Sequence, residues 1–261
     1  MCLPTAGGGN AHIDLHSSDE SASWCTSQSP SESQDEEEIV EFKDEPKSLA
    51  PVPPPIALEF CCGSARLTAA LDTAGFRAIG FDYEFNKVRP EALCLWVDLT
   101  TAHGRALGWA WQKHTATRLA SFAPPCGTSS RAREMPNGPP PLRSEIYPAG
   151  LPGLQGTDKL RVEAANAIYS FCALAAAHCT RHDILFTIEN PLRCIMWHLD
   201  AMNNLLIFPS VPDVNYHACM HGGARLKAQK LRTNLAILKD MEIWCDRSHE
   251  HLSVGVMAVG P

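Results

Sequence analysis

The sequence predicts an α/β domain: a mostly parallel, doubly wound sheet with helices on both faces. Three observations carry this expectation. Short apolar runs at residues 56–60, 78–83, 92–97, 118–123 and 184–188 have the length and composition of buried strands. Stretches with apolar residues at helical spacing lie between several of them, and alternating strands and helices fold into parallel sheets. Each run also ends near a residue that turns sharply or carries chemistry, which gathers those residues along one carboxyl edge, where open α/β sheets bind ligands.

The 261 residues, 45% of them apolar, suffice for one sizeable domain with its own core. Residues 1–50 carry eleven carboxylates against Lys43 and Lys47, a net −9, so the rest of a chain whose total is −7 stands at +2. Rich in Ser and Gly as well, this part reads as a disordered acidic tail. Pro51-Val52-Pro53-Pro54-Pro55 reads as a stiff linker. The expected division is 1–55 for tail and linker and 56–261 for the α/β domain. A slightly positive domain leaves a polyanionic partner open. Eleven cysteines, an odd count without framework spacing, read as reduced thiols of an intracellular protein, nuclear or cytoplasmic, most of them core filler. No apolar run approaches the roughly 20 residues that span a bilayer, and no secretory leader is recognisable.

The first strand runs into Cys61-Cys62-Gly63-Ser64-Ala65, after which Leu67, Ala70, Leu71 and Ala74 share one helical face up to Gly75. The second carries Asp82, 19 residues past Gly63. In nucleotide-binding sheets an acid about 20 residues past the glycine turn takes a ribose hydroxyl. The third delivers Asp98, and strand-end capping is the plainer role for both acids. The turn lacks the full Gly-x-Gly-x-x-Gly spacing and there is no Walker lysine-serine pair, which suits a nucleoside without a phosphate chain.

The fourth strand ends in Pro124-Pro125-Cys126. Paired prolines carry the chain stiffly into a loop, good mounting for a reactive thiol, so Cys126 is the candidate nucleophile; a Pro-rich turn with a structural cysteine is the alternative. Residues 131–156, heavy in Pro and Gly, are too long for a simple connection and read as a functional loop. A helix is expected over 158–178, burying Leu160, Ala164, Ala165, Ile168, Phe171, Cys172 and Ala175. The fifth strand then runs into Glu189-Asn190-Pro191, a carboxylate beside the cysteine strand.

In this order the motifs resemble those of the cytosine-5 DNA methyltransferases, S-adenosylmethionine enzymes on a Rossmann-like sheet of the class I type. The likeness covers about residues 56–240. Residues 58–65 look like the family's Asp-Leu-Phe-Ala-Gly-x-Gly cofactor element, with Glu59 in place of the acid and Ala65 in place of the second glycine. The resemblance implies contacts to S-adenosyl-L-methionine from Glu59, Phe60, Cys61, Gly63 and Ser64, and from Asp82, Asp98 and Pro124. Pro124-Pro125-Cys126 with Ser130 is similar to the Pro-Cys-Gln-x-Phe-Ser element, departing at Gly127 and Ser129. Glu189-Asn190-Pro191 resembles Glu-Asn-Val.

The resemblance implies that the Cys126 thiolate adds to C6 of cytosine while Glu189 donates a proton or hydrogen bond at N3. C5 then takes the methyl group and loses its proton, and the thiolate leaves. Ser130, Arg131 and Asn190 are implied as substrate contacts, as is Arg232 through a loose match of Gln229–Arg232 to a Gln-x-Arg-x-Arg element. A target inside a duplex is flipped out, and the loop bearing Arg131, Arg133 and Arg143 is expected to close over it and hold phosphates. Arg131 and Arg133 would also favour the thiolate. Nucleic acid is the expected partner, DNA ahead of RNA, with no role for a membrane.

The family's late Arg-x-x-Thr-x-Arg-Glu element and closing Gly-Asn motif have no counterpart, and little chain follows Asn234 for target recognition. Two further readings therefore stand beside the first: a catalytically inactive binding module that keeps the fold, and a methyltransferase acting on RNA or a small molecule. Separately, Cys245, His249 and His251 form Cys-x-x-x-His-x-His, with Cys219 and His221 upstream. Cys219, Cys245, His249 and His251 together supply the donors of a tetrahedral structural zinc; surface histidines and a core cysteine are the alternative.

Overall fold

The computed structural model describes residues 52–252; the acidic tail at 1–50 lies outside the described residues. Seven strands, β1 (Ile56–Phe60), β2 (Arg77–Asp82), β3 (Cys94–Trp96), β4 (Thr117–Phe122), β5 (Leu185–Pro191), β6 (Asp213–His217) and β7 (Ala228–Thr233), form one sheet in the order β3-β2-β1-β4-β5-β7-β6. The first five pair in parallel, and β7 runs antiparallel to both β5 and β6. The expected α/β class holds, with the doubly wound order over its first five strands.

In-register partners of parallel strands share a face, and the two faces are built differently. Phe60 pairs with Phe81 and with Phe122, and the rings stack at 4.8 and 5.2 Å. Helix α3 (Gly156–Arg181) lays Phe171 edge-on against Phe60 at 5.2 Å, and α2 (Ala102–Gln112) adds Trp109 against Phe171 at 5.7 Å. The opposite face carries Glu59, Gly80, Ser121 and Thr187, paired in the same way. There Glu59 accepts from Thr68 of α1 (Arg66–Thr73), so helices cover both faces.

Several expectations are corrected. The apolar stripe of α1 is not its buried face: Leu67 and Ala70 are exposed and Thr68 alone is buried, because Glu59 holds that side of the helix to the sheet. Helix α3 is longer than expected at both ends, and Leu160, expected inside, is 64% exposed near its N-terminal end. The segment 131–156, expected to be a functional loop, forms a strap that buries Leu142 and Arg143. A short α4 (Asp200–Asn203) follows β5.

Candidate functional site

A cavity of about 630 Å³ opens at the carboxyl edge of the sheet, between the ends of β1, β2 and β4 and one side of α3. That volume suits a nucleoside-sized ligand. Cys61, Asp82 and Asp98 line it together with Pro125 and Gly127, the neighbours of Cys126 on either side. Phe81, Val97, Leu99 and Ile168 make its apolar wall.

The turn beneath the cavity depends on alternate left-handed residues: Cys61, Gly63 and Ala65 have φ of 58°, 56° and 55°. This conformation exposes amides on the inside of the bend, and the Gly63 N–H donates to Asp82 Oδ2 at 2.7 Å. Asn86 Nδ2 donates to both Asp82 Oδ2 (2.9 Å) and the Gly63 carbonyl (3.1 Å), and Tyr83 N–H donates to Asp82 Oδ1. Asp82 therefore fixes the glycine turn as well as facing the cavity. A Cβ on Gly63 would meet nothing within 4 Å, so open space lies over the turn. Burial, with the Asp82 charge second, pushes the Cys61 thiol up to about 12 and keeps it neutral. Asp98 Oδ1 accepts from Thr100 N–H and Oγ1–H at 2.9 and 2.6 Å.

Other residues of the expected cofactor set lie away from this wall. Phe60 is sealed in the aromatic core. Glu59 faces α1, where its Oε2 accepts from Thr68 N–H and Oγ1–H at 2.7 and 2.5 Å; burial raises its carboxyl pKa, with Thr68 opposing. The Ser64 carbonyl accepts from Glu91 N–H, which ties the turn to the approach of β3. Pro124 contributes its carbonyl to Asn190, not a surface to the cavity.

Cys126 is half-buried against the main core and sits in a loop whose carbonyls are captured on several sides. Asn190 Nδ2 donates to the Pro124 carbonyl and Tyr169 Oη–H to the Pro125 carbonyl, each at 2.7 Å. Ser129 N–H donates to the Cys126 carbonyl at 2.9 Å, and Arg133 Nη1 to the Gly127 carbonyl at 3.3 Å. Asn190, expected against substrate, is 2% exposed and acts on the loop instead, with its Oδ1 buried and unpaired among the described residues. Tyr169 is a site residue that the sequence reading missed: its place on the core face of α3 gave no sign that its hydroxyl reaches Pro125.

Glu189 lies on β5 opposite Leu231 of β7, the strand beyond the cysteine strand. Its Oε1 is buried without a hydrogen bond, and burial raises the carboxyl pKa against the opposing pull of Lys227 and a hydrogen bond with Gln229. A carboxyl of this kind holds its proton to higher pH than an exposed one and is equipped to donate it. Neither Glu189 nor Cys126 lines the cavity itself.

The arginines are largely engaged by the fold. Arg131 pairs with Glu134 at 2.7 Å and with Glu145, and donates to the Arg193 carbonyl. Ser130 caps the turn at 131–134 by accepting from Ala132 N–H. Arg143 is 2% exposed and donates to Thr128, Pro148, Asn166 and Val162, so its expected role on phosphates is not met; it holds the strap to α3. Arg232, 1% exposed, forms a fork with both oxygens of Asp213 at 2.7 and 2.9 Å. Its expected contact with substrate is likewise replaced by an internal pair. Arg161 on the cavity rim was not anticipated from the sequence.

At the far edge of the sheet, Cys219, Cys245, His249 and His251 converge, their ligand atoms all within 4.8 Å of one another. This set can hold a metal ion. Among the described residues no helix is long and apolar enough to cross a membrane. In comparisons with known proteins, no family model matches the chain and no curated protein matches it.

Proposed function

We propose that this chain is an S-adenosylmethionine-dependent methyltransferase domain of the cytosine-5 type, acting on cytosine in DNA through a covalent adduct at Cys126. The observation that carries the reading is the cavity wall, which joins Cys61 at the start of the glycine turn and two strand-end carboxylates to the residues flanking a thiol. The residues present fit the cofactor. Phe81, Val97, Leu99 and Ile168 offer a slot for a flat ring, Asp82 and Asp98 offer acceptors for hydroxyl or amino groups, and the space over Gly63 admits close approach to the backbone. The antiparallel β7 between β5 and β6 also accords with the class I methyltransferase type.

When bound, the cofactor supplies the methyl group for C5. The chain's own contribution is nucleophile, acid and positioning. The Cys126 thiolate adds to C6 of the ring, and the Arg133 guanidinium, by donating to the neighbouring Gly127 carbonyl, helps hold the loop that presents it. Glu189, whose carboxyl pKa is raised by burial, delivers its proton or a hydrogen bond at N3, which lets the electron pair of the adduct reach C5. After methylation C5 gives up its proton to a base, the C6–S bond breaks, and the thiolate is restored. Asn190 and Tyr169 keep the thiol loop fixed through the cycle. The partner is nucleic acid, DNA ahead of RNA, in an intracellular setting. For the far-edge cluster, two thiolates and two imidazoles select Zn²⁺.

Two measurements test the reading. Titration calorimetry with S-adenosylmethionine should show binding that is weakened by Asp82→Ala; absence of heat would leave a binding module that keeps the fold. A duplex carrying 5-fluorocytosine should then trap a covalent adduct, because fluorine at C5 cannot depart as a proton does. The adduct should vanish in Cys126→Ser. Trapping on an RNA strand but not on DNA would move the substrate to RNA.

A further inference from the structure

We propose that the metal bound by Cys219, Cys245, His249 and His251 is a clamp that fixes the β6–β7 hairpin beside Glu189. The substrate side of the site is then fully assembled only in the metal-loaded chain. This rests on the zinc reading above and adds a role for the ion.

Cys219 lies in the turn at 218–221 that follows β6, whereas Cys245, His249 and His251 lie in a coil without helix or strand. Cys245 Sγ is 3.4 Å from His251 Nε2 and 3.9 Å from His249 Nε2. A tetrahedral zinc with ordinary Zn–S and Zn–N bonds separates its ligand atoms by about 3.3–3.8 Å, so small side-chain adjustments close the site. A second observation points the same way. Arg247, left-handed at φ 63°, turns its N–H onto Cys245 Sγ at 3.2 Å. An amide aimed at sulfur is the kind of support a metal-bound thiolate draws from its surroundings.

The hairpin needs such support because its own core is small. On the Glu189 face it consists of Val214, Tyr216 and Leu231, with Leu238 and Met241 packed against them. Ile243, Trp244 and Leu252 of the coil remain exposed. Hydrogen bonds to the coil include His217 N–H to the Ile243 carbonyl (3.0 Å), Cys245 N–H to His217 Nδ1 (2.9 Å), Leu252 N–H to the Ala224 carbonyl (2.9 Å) and Asn215 N–H to Glu242 Oε1 (3.2 Å), and the Trp244 ring lies edge-on against His217 at 4.7 Å. Contacts of this kind are individually weak beside a structural zinc, whose binding free energy is folding free energy.

The clamped turn is continuous with the groups that act on Glu189. Ala218 N–H, next to Cys219, donates to the Lys227 carbonyl at 2.9 Å, and Tyr216 pairs with Gln229 across the hairpin. Lys227 and Gln229 are the two residues that pull down on the Glu189 pKa. The cofactor cavity shares no residue with the hairpin.

The full chain should carry one zinc by elemental analysis, and cobalt in its place should give thiolate-to-metal absorption that falls in Cys219→Ser. Removing the metal with a chelator should speed amide exchange in residues 213–233 at least tenfold and leave residues 56–82 unchanged. No stoichiometric metal would overturn both the zinc reading and the clamp. Bound metal whose removal leaves exchange in 213–233 unchanged would overturn the clamp alone. Should Cys219→Ser fail to fold, His249→Ala, which removes an exposed ligand, reads the same exchange.

Discussion

The Asn190 amide donates to the Pro124 carbonyl at 2.7 Å and so ties the end of β5 to the loop that carries Cys126. Pro124 and Pro125 have no N–H, so the backbone of these two residues can be held only through its carbonyls. Asn190 and Tyr169 take the two proline carbonyls in turn, at equal distances. The thiol's position is thereby set by residues that need not touch a ligand.

Replacing Asn190 should therefore act on stability and thiol position together. Asn190→Ala leaves the Pro124 carbonyl without its donor, but it also removes a buried Oδ1 that lacks a partner. An orphaned buried group costs about 1–3 kcal/mol, and with that partial relief the net loss should fall near the low end. Asn190→Asp should cost more at neutral pH, since it sets a carboxylate against a carbonyl oxygen. Urea unfolding gives the order, and alkylation of Cys126 should change in rate in both variants.

Two glycines separate ligand space from packing. Gly63→Ala adds a methyl to open space at φ 56°, so the cost to folding is backbone strain of about 1–2 kcal/mol. Gly80→Ala drives a Cβ to 2.9 Å from Cys62 Sγ and 3.2 Å from the Leu93 carbonyl, an overpacking cost of about 1–3 kcal/mol. If the space over Gly63 receives the cofactor, Gly63→Ala should lower S-adenosylmethionine affinity at least tenfold while Gly80→Ala leaves it nearly unchanged. Thermal melting paired with calorimetry on both variants checks this.

The strands of the parallel half were legible because they are apolar runs closed by Gly63, Asp82, Asp98 and the Pro-Pro pair, each a local signal. Helix α2 was not, since Gly104 and Gly108 lower its helical propensity. Both glycines answer to contacts distant in sequence or across a turn: a Cβ at 108 would lie 2.8 Å from Phe171 Cζ, and one at 104 would strike the Asp98 carbonyl. The same limit applies in the site. Residue type marked Asp82 and Asp98 for the cavity and gathered all four metal ligands, because those features are short motifs or strand ends. It could not show that Arg143 and Arg232 turn inward, since a cation on a loop or strand reads alike whether its partner is phosphate or Asp213.

Asp213 should prove indispensable to folding. Its burial alone would raise its pKa, but the forked bond from Arg232 and the bond from Lys230 at 2.8 Å outweigh that and hold it below the ordinary carboxylate value. Asp213→Asn leaves Arg232 buried without a counter-charge, at a cost of about 3–5 kcal/mol. In the unaltered chain the contribution is complete above the unfolded-state pKa near 3.8 and fades as pH falls through the lower folded value. Acid unfolding followed by circular dichroism should therefore be shifted to higher pH by the substitution.

Glu189 has the opposite sign. Burial raises its pKa above the ordinary carboxylate value of 4.5, so across the interval between the unfolded and folded values the native state binds more protons than the unfolded chain. Stability then falls as pH rises through that interval, and above it the native state bears the full cost of a buried carboxylate. Glu189→Gln removes the ionisation while keeping the shape. Its unfolding free energy should lose this part of the pH dependence, and the variant should gain most relative to the unaltered chain at pH 8. Catalysis should move the other way, because an amide cannot deliver a full proton at N3: methyl transfer should drop by about 10²–10⁴-fold, the range of general acid catalysis. Urea midpoints from pH 4.5 to 8, read beside methyl transfer to a cytosine duplex, decide the matter. A substitution that lowered stability at pH 8 while leaving transfer intact would make Glu189 a structural residue of the β5–β7 pair and remove it from the chemistry.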